Sequence, residues 1–416
     1  MNIADVLFLL GFWGIWITLS FWILLSIGSI QYQQSARKEY IRIAQRKGKL
    51  PFLSALIPAH NEELVIEKTV RSLAEQDYGE ENYEIIVVND GSTDSTKEIV
   101  EKLMKEIPNL KLVNVPPGEG GKGKSRTLNV GFGHTKGELI SVFDADNTPE
   151  PNVLRLLVTV LQNDKKLVAV NSKVRTRNKN ASWLTKFINL EFIYFQWLFQ
   201  GGRWHWFNLS MLMGTGYVIY RDTLEILGGF DEESLVDDTE MSLRIFRGNY
   251  RIRWVPFATT WEQEPDTFRV WFKQRTRWSI GNIVTTWKYL PAAFIMPYPL
   301  GLEVLMFALN FVIFIPALLA SNAVLIMGLL NIYSITLPGP FVMLWGLSIV
   351  VYIFHMAFAI REEDNRAFNY FYAFLGYFTY AQFFILVLLN AFWQLLKQNF
   401  SKERMQWDKT ARKKEE

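Results

Sequence analysis

Two aspartates, Asp144 and Asp146, stand two positions apart directly after the apolar run 138–143. Residues two apart on an extended segment point in the same direction, so the two carboxylates are expected side by side. Their mutual repulsion is relieved when a divalent cation lies between them and a diphosphate. Mg²⁺ or Mn²⁺ is the expected cation, because both prefer oxygen ligands. A solvated loop end before Pro149 is the alternative interpretation.

A second acidic pair, Asp237 and Asp238, precedes a helical pattern that starts near Thr239. The positive end of a helix dipole favours ionised carboxylates in the first turn, so these residues could simply cap the helix. A carboxylate at this place could also take a proton from an acceptor hydroxyl during group transfer. Both aspartates are therefore candidates for a general base.

A third candidate is the segment Gln274, Arg275, Thr276, Arg277 and Trp278, a QxxRW pattern just before a long apolar run. Arg and Trp on an amphipathic helix are also common anchors at a membrane surface. Arg presents a fixed fork for phosphate, and Trp presents a flat face for a sugar. These residue types therefore suit either a membrane-surface anchor or a helix that contacts a phosphate and a sugar.

Composition limits what these residues can do. The 416-residue chain is 50% hydrophobic and 15% aromatic, which favours one catalytic domain combined with membrane segments. Its net charge of +3 gives no electrostatic argument for a nucleic-acid partner. The chain contains no Cys, so disulfides, zinc-thiolate sites and a thiol nucleophile are excluded.

The N-terminal region 1–35 is predicted to be a transmembrane helix, since its apolar stretch exceeds the length needed to cross about 30 Å of hydrocarbon. A secretory signal peptide is the alternative, but no basic segment precedes the apolar run and no small-residue cleavage site follows it. The stretch 36–49 is rich in Lys and Arg, which predicts that it lies in the cytosol together with the domain that follows.

The region 298–398 is predicted to form the C-terminal membrane region. No charged residue occurs from Val304 to Ile360, and a turn at 337–340 should divide this run into two spans. A third apolar run covers 367–396. Three crossings would place the basic tail 399–416 outside the cell, against the charge rule. A re-entrant or interfacial segment, or an extra break near Pro316, would resolve this conflict.

Between the membrane regions, residues 50–285 are predicted to form a cytosolic α/β domain with interfacial helices. Apolar β-branched runs predict parallel strands at 52–57, 83–88, 110–115 and 138–143, and helices are predicted at 63–76 and 94–107. In such a sheet, ligands bind beyond the carboxyl ends of the strands. The polar motifs of the chain fall at these ends.

These motifs follow one another as Asn61-Glu62, Asn89-Asp90-Gly91-Ser92, Gly123-Lys124 to Asn129, and Asp144-Ala145-Asp146. This order resembles that of family 2 glycosyltransferases of the GT-A fold, a Rossmann-like fold of nucleotide-diphospho-sugar transferases. The resemblance implies that Asp144 and Asp146 hold the metal. It also implies a set of donor-binding residues: Asn61, Glu62, Asp90, Lys124, Asn129, Asp144 and Arg277.

The acidic pair resembles the TED motif of processive members of this family, whose last residue is the catalytic base. Asp238 matches that residue, whereas Val236 and Asp237 depart from the motif, and a slip of one position would make Asp237 the base. The resemblance further implies acceptor binding by a glycine segment and the motif tryptophan, with the rest of the QxxRW motif at the diphosphate or acceptor. The residues concerned are Gly214, Thr215, Gly216, Trp278, Gln274 and Arg275.

The resemblance is greatest to bacterial poly-N-acetylglucosamine synthases and extends to cellulose, hyaluronan and chitin synthases. It implies an inverting transferase that uses a UDP-sugar, either UDP-N-acetylglucosamine or UDP-glucose, to extend and translocate a β-linked exopolysaccharide. The implied enzyme spans the cell membrane several times, its catalytic domain is cytosolic, and an accessory membrane subunit is a further partner. Two alternatives remain: a non-processive transferase acting on a lipid, and an inactive membrane scaffold.

Overall fold

The computed structural model describes residues 3–44, 48–116, 118–296, 298–309, 313–332 and 336–401. The tail beyond residue 401, which was predicted to be cytosolic, lies outside the described residues. The described helices preceding the C-terminal region are α1 (Ile3–Ile43), α2 (Ile66–Ala74), α3 (Thr96–Leu103), α4 (Lys124–Phe132), α5 (Val153–Gln162), α6 (Trp183–Phe195), α7 (Gly202–Phe207), α8 (Arg221–Ile226), α9 (Asp237–Arg247) and α10 (Phe268–Ala293). A π-helical segment joins α6 to α7.

One mixed sheet organises the domain between the membrane regions. Its strands in the described residues are β1 (Leu53–Ala59), β2 (Tyr83–Asn89), β3 (Leu110–Asn114), β4 (Leu139–Val142), β5 (Thr148–Pro149), β6 (Leu167–Thr176), β7 (Tyr217–Tyr220) and β8 (Arg251–Glu262). The strand order is β3-β2-β1-β4-β7-β6-β8-β5. The first four strands pair in parallel, as predicted, whereas β7 runs antiparallel to both β4 and β6.

Helices cover both faces of this sheet, which explains why its strands are apolar throughout. Along β1, Ala55 and Ile57 face a core that includes Val70 of α2, while Leu56 faces the opposite core with Leu128 of α4. Each fully buried aliphatic side chain of this kind contributes about 1.5–3 kcal/mol. The two cores hold the strand ends, and hence the polar loops beyond them, in a fixed arrangement.

Helix α1 contains 41 residues, so it extends about 60 Å and is longer than the predicted segment 1–35. Its second half packs on the central domain. The Tyr32 hydroxyl donates to the Trp254 carbonyl, and Glu39 accepts a hydrogen bond of 3.0 Å from Arg253. A side chain at Gly202 would lie 2.3 Å from the Leu25 carbonyl oxygen, so glycine is needed where α7 meets α1.

The C-terminal region consists of α11 (Leu300–Leu309), α12 (Ile315–Leu329), α13 (Phe341–Glu363), α14 (Ala367–Phe378) and α15 (Tyr380–Ser401). The predicted turn at 337–340 lies between α12 and α13, and Pro316 lies in the first turn of α12. The third apolar run, treated in the prediction as one segment, divides at Thr379 into α14 and α15. Among the described residues, three helices are long and apolar enough to cross a membrane, namely Ala4–Ile43, Phe341–Glu363 and Tyr380–Gln398.

Candidate active site

The carboxyl ends of β2, β1 and β4 lie side by side, because these strands are parallel neighbours in the sheet. The loops beyond them border a cavity of about 350 Å³, which α6, α9 and α10 close from the other side. Eleven of the residues predicted from the sequence line this cavity: Glu62, Asp90, Lys124, Asp144, Asp146, Gly214, Asp237, Asp238, Gln274, Arg277 and Trp278. Residues that are up to 216 positions apart in the chain, Glu62 and Trp278, therefore border one space.

Asp90 follows β2 and is only 4% exposed. Burial raises the pKa of its carboxyl, while hydrogen bonds from the Gly121 backbone and the Thr127 side chain counteract that rise. Its backbone is fixed as well, since the Asp90 N–H donates to the Ala59 carbonyl at 2.8 Å. The carboxylate is thus held at the rim of the cavity by the strand end on one side and the glycine loop on the other.

Asn61 was predicted to bind the donor, but the structure gives it a place behind the cavity wall. Its φ of 54° lies in the left-handed region, which Asn adopts more readily than most residues. Its side-chain oxygen accepts a hydrogen bond of 2.7 Å from the Thr93 N–H, and its own N–H donates to the Ser92 hydroxyl at 3.0 Å. Asn61 therefore joins the loops after β1 and β2.

Lys124 is the first residue of α4 and the central cation of the site. Its ammonium lies 2.6 Å from the Asp144 carboxylate and 4.0 Å from Asp237, and it donates to the Gly214 carbonyl at 2.7 Å. Burial by itself would lower the pKa of Lys124, but the neighbouring carboxylates Asp144 and Asp237 raise it above its usual value. Lys124 therefore stays charged and connects Asp144, after β4, to Asp237 on α9.

Asp144 and Asp146 both reach the cavity wall after β4. The Asp144 N–H donates to the Thr215 hydroxyl at 2.9 Å, and the Asp146 side chain is 1% exposed. Within the described residues, no group of three or more His, Asp or Glu side chains could hold a metal ion. Two carboxylates fit a hard cation such as Mg²⁺ or Mn²⁺ when phosphate oxygens and water supply its remaining ligands.

Asp238 lies in the first turn of α9, beside Gly214. The φ of Gly214 is +78°, which favours glycine at this position, and a β-carbon there would lie 3.4 Å from Oδ2 of Asp238, in ordinary van der Waals contact. The Asp238 carboxylate accepts a hydrogen bond of 2.7 Å from the Thr239 N–H. Burial, together with the adjacent charge of Asp237, raises the pKa of Asp238 to about 7. A carboxylate with such a pKa suits general-base chemistry near neutral pH.

The two aspartates of this pair differ in their surroundings. Asp237 faces Lys124, whereas the Asp238 backbone is fixed by a hydrogen bond of 2.7 Å from the Ser242 hydroxyl to its carbonyl. The same hydroxyl accepts a hydrogen bond of 2.9 Å from the Leu212 N–H. Asp238 is thereby tied to the 211–214 segment, which lines the cavity.

The QxxRW segment occupies the second and third turns of α10. Gln274, Arg277 and Trp278 line the cavity, whereas Arg275 does not. Arg275 is 2% exposed, forms an ion pair of 3.0 Å with Glu191, and lies 4.2 Å from the centre of the Trp278 ring. The Arg275 guanidinium therefore lies behind the cavity wall and supports the tryptophan, whereas the sequence prediction gave it to the diphosphate or acceptor.

Three further predicted residues, Asn129, Thr215 and Gly216, lie outside the cavity lining. The Asn129 side chain donates to the Phe230 carbonyl at 2.9 Å and accepts from its N–H at 2.8 Å, which anchors the chain leading to the acidic pair. Thr215 supports the Asp144 backbone. Gly216 has a φ of +63°, and a β-carbon there would lie 2.2 Å from the Ser172 hydroxyl. These residues support the loops that line the cavity but do not line it themselves.

Sequence reasoning overlooked part of the cavity lining, including Glu191, Phe192, Phe195 and Asn282. Three of these residues lie on α6, whose sequence is apolar along most of its length and carries no recognisable motif. His60 directly precedes the Asn61-Glu62 motif, and its Nδ1 lies 2.7 Å from the Asp90 carbonyl oxygen. Predicting the cavity residues on α6 from the sequence would have required knowing which face of that helix meets the sheet.

Comparison with known proteins shows the family to which the chain belongs. The model of Glycosyl transferase family 2 matches residues 54–227. The chain is 36% identical over 412 residues to the probable glycosyltransferase YdaM of Bacillus subtilis, covering 98% of both chains. It is 32% identical to the beta-monoglucosyldiacylglycerol synthase of Trichormus variabilis over 57% of this chain and 50% of that protein. It is 28% identical to the poly-beta-1,6-N-acetyl-D-glucosamine synthase of Staphylococcus epidermidis over 63% of this chain and 62% of that protein.

Among solved structures, the mannosyltransferase PcManGT of Pyrobaculum calidifontis, in complex with GDP-Man and Mn²⁺, resembles this chain with a TM-score of 0.57. The match covers 86% of this chain and 98% of that one at 21% identity, which establishes a shared GT-A fold. The fold class predicted from the sequence is confirmed. The region that the family model matches includes the aspartates after β4. Because the similarity to a glycosyltransferase extends over almost the whole chain, the protein is an enzyme and belongs to glycosyltransferase family 2.

Proposed function

We propose that this glycosyltransferase moves a sugar from a nucleotide-diphosphate donor to an acceptor hydroxyl with inversion, and that Asp238 is its base. The supporting observation is the position of Asp238 in one cavity with Lys124, Asp144 and Asp146. An inverting reaction needs a carboxylate that removes the acceptor proton and a separate cationic group that receives the departing diphosphate. Asp238 supplies the first, and the Lys124 ammonium supplies part of the second.

In this proposal, Asp144 and Asp146 hold Mg²⁺ or Mn²⁺ together with the donor diphosphate. The two carboxylates border the cavity. Phosphate oxygens of the donor would supply further ligands, which is the usual arrangement for Mg²⁺ in phosphate chemistry. When bound, the cation would neutralise charge on the diphosphate leaving group. Asp90, which lines the same cavity, holds the nucleoside end of the donor. UDP is the proposed nucleotide, with glucose or N-acetylglucosamine as the sugar.

The first proposed acceptor is a growing β-linked polysaccharide, which the enzyme extends and passes across the membrane. The similarity to a poly-beta-1,6-N-acetyl-D-glucosamine synthase supports it, as does Trp278 on the cavity wall beside the apolar C-terminal helices. The second proposed acceptor is a glycolipid or diacylglycerol. The similarity to a beta-monoglucosyldiacylglycerol synthase favours it, and so do Phe192, Phe195 and Met213, which make one side of the cavity apolar.

We further propose a multi-pass protein of the cell membrane with a cytosolic catalytic domain. Helix α1 is long and apolar enough to span a bilayer, and it carries Lys and Arg from residue 37 onward, beside the central domain. A nucleotide-sugar donor is made in the cytosol, so the proposed orientation gives the cavity access to it. An accessory membrane subunit remains part of the proposal for polymer export.

The acceptor class is tested with the purified full-length protein in nanodiscs. The protein receives Mn²⁺ and, in separate reactions, radiolabelled UDP-glucose, UDP-N-acetylglucosamine, UDP-galactose or GDP-mannose. Long, glycosidase-sensitive product would support the polymer acceptor, and a single-sugar glycolipid extracted into organic solvent would support the lipid acceptor. Absence of any transfer with all four donors would contradict the proposed donor class.

A further inference from the structure

Glu191 lines the cavity but has no role in the proposed transfer reaction. It lies on α6, and its neighbours Phe192 and Phe195 line the same side of the cavity. A carboxylate within an apolar wall loses hydration, so its retention there requires compensating contacts. Its side chain is 27% exposed, which leaves part of it open to the cavity.

Three helices meet at one oxygen of this carboxylate. Oε2 of Glu191 lies 3.0 Å from the Arg275 guanidinium of α10 and accepts a hydrogen bond from the Tyr380 hydroxyl of α15. The Tyr380 hydroxyl in turn accepts a hydrogen bond of 2.9 Å from Trp271. Both contacts use Oε2, and in the described part of the chain Oε1 accepts no hydrogen bond. The carboxylate is therefore fixed by one oxygen while the other can take a ligand.

The same contacts link Glu191 to the tryptophan of the QxxRW motif. The Arg275 guanidinium that pairs with Glu191 also lies 4.2 Å from the centre of the Trp278 ring. Burial alone would lower the pKa of Arg275, but Glu191 and other acidic neighbours raise it above its usual value, so the cation persists. One buried cation thus holds both a flat aromatic ring and an anionic oxygen at the cavity. Those are the two groups that bind a sugar ring, by stacking and by accepting hydroxyl hydrogen bonds.

We propose that Glu191 is an acceptor-binding residue, whose Oε1 accepts a hydrogen bond from a hydroxyl of the acceptor lying against Trp278. Arg275 and Tyr380 are positioning residues that fix Oε2. The inference rests on the proposed transfer reaction and adds to it a contact with the acceptor. A hydroxyl-bearing acceptor is required, whether it is a sugar or a diacylglycerol.

Glu191→Gln alone would leave the buried Arg275 cation without its partner and could destabilise the fold. The informative comparison is therefore between Arg275→Met and the double variant Glu191→Gln/Arg275→Met, which differ only at Glu191. Lys186→Gln is the matched control, because Lys186 lies on the same helix but contacts the rings of Phe368 and Tyr372 instead.

Each variant is assayed in full-length form with labelled UDP-glucose or UDP-N-acetylglucosamine. Dioleoylglycerol in mixed micelles and a pentamer of N-acetylglucosamine serve as acceptors, and kinetics are measured with the one that the wild-type protein glycosylates. The double variant should show an acceptor KM about fivefold or more above that of Arg275→Met, the difference between a charged and a neutral hydrogen bond. The donor KM should stay within about twofold, and Lys186→Gln should match the wild type.

An acceptor KM equal in the double variant and in Arg275→Met would overturn the inference and leave Glu191 a structural ion-pair partner. A fall in kcat with an unchanged acceptor KM would also overturn it, since the residue would then act in the chemical step. The underlying function is judged separately through Asp238→Asn. If that variant is inactive while the Glu191 comparison shows no difference, only the acceptor contact is refuted.

Discussion

Substitution of Asp237 by Asn separates the two candidate bases. Burial and the Asp237 charge together raise the pKa of Asp238 to about 7. Asn removes the charge but retains the shape, and Lys124, which lies 4.0 Å from Asp237, then acts more strongly on Asp238. Both changes stabilise the ionised form of Asp238, so its pKa should fall by about one unit, equivalent to about 1.4 kcal/mol.

The sign of the pH effect follows from the role of the base. Asp238 works only when ionised, so activity of the wild type should rise as the pH increases through about 7. At pH 6, about 10% of the wild-type enzyme would carry an ionised Asp238, against about 50% in Asp237→Asn. The variant should therefore retain about five times more of its plateau activity at pH 6.

The assay is kcat/KM for labelled sugar transfer at saturating metal, measured from pH 5.5 to 9. Asp231→Asn is the matched control, because Asp231 belongs to the same acidic stretch but pairs with Lys288, at 2.9 Å, away from the cavity lining. The acidic limb of the kcat/KM–pH profile of Asp231→Asn should coincide with that of the wild type. Loss of all activity in Asp237→Asn at every pH would refute the reasoning and make Asp237 the base.

Three further predictions follow from the same geometry. Gly214→Ala should lower kcat at least about tenfold, because the new methyl group contacts Asp238. Gly228→Ala is the control, since Gly228 has the same φ of +78° but open space around it, and this variant should lower only the melting temperature. EDTA should abolish transfer by the wild type, Mn²⁺ should restore it, and Asp146→Asn should require at least about tenfold more Mn²⁺ in the same titration. Lys124→Met should raise the donor KM in steady-state kinetics without raising the acceptor KM. An unchanged donor KM would contradict the proposal that the donor diphosphate binds beside Lys124.

Periodicity and composition were sufficient for the parallel half of the sheet. Ile57 and its neighbours on β1 are apolar because helices bury both faces, and that pattern is visible in one sequence. The antiparallel strand β7 and the long β8 were not predicted, because their places depend on pairing between distant segments. The break at Thr379 was missed for a related reason, since hydropathy records how apolar a run is but not where its helix turns.

The site was predictable to the extent that its chemistry resides in charged motifs at strand ends. Asp144 stands out as a polar residue after an apolar strand, whereas Lys124 and Asp238 were singled out by the resemblance of their motifs, and all three line the cavity. The position of Arg275 behind the cavity was not predicted, because a motif shows which residue types occur together but not which side of a helix faces the cavity. Glu191 was overlooked because its importance arises from contacts with α10 and α15, which are 84 and 189 residues away in the chain.

Transfer by Asp238→Asn, measured beside binding of UDP, tests the central claim most directly. The raised pKa means that the folded protein holds this proton between about pH 4 and 7, so stability attributable to Asp238 decreases as pH rises through that range. Asn carries no such charge, and the variant should melt at or above the wild-type temperature at pH 8. Sugar transfer should fall by at least about a thousandfold while the Kd for UDP with Mn²⁺ stays within about twofold. Transfer within about tenfold of the wild-type rate by this folded, UDP-binding variant would contradict the assignment of Asp238 as the base.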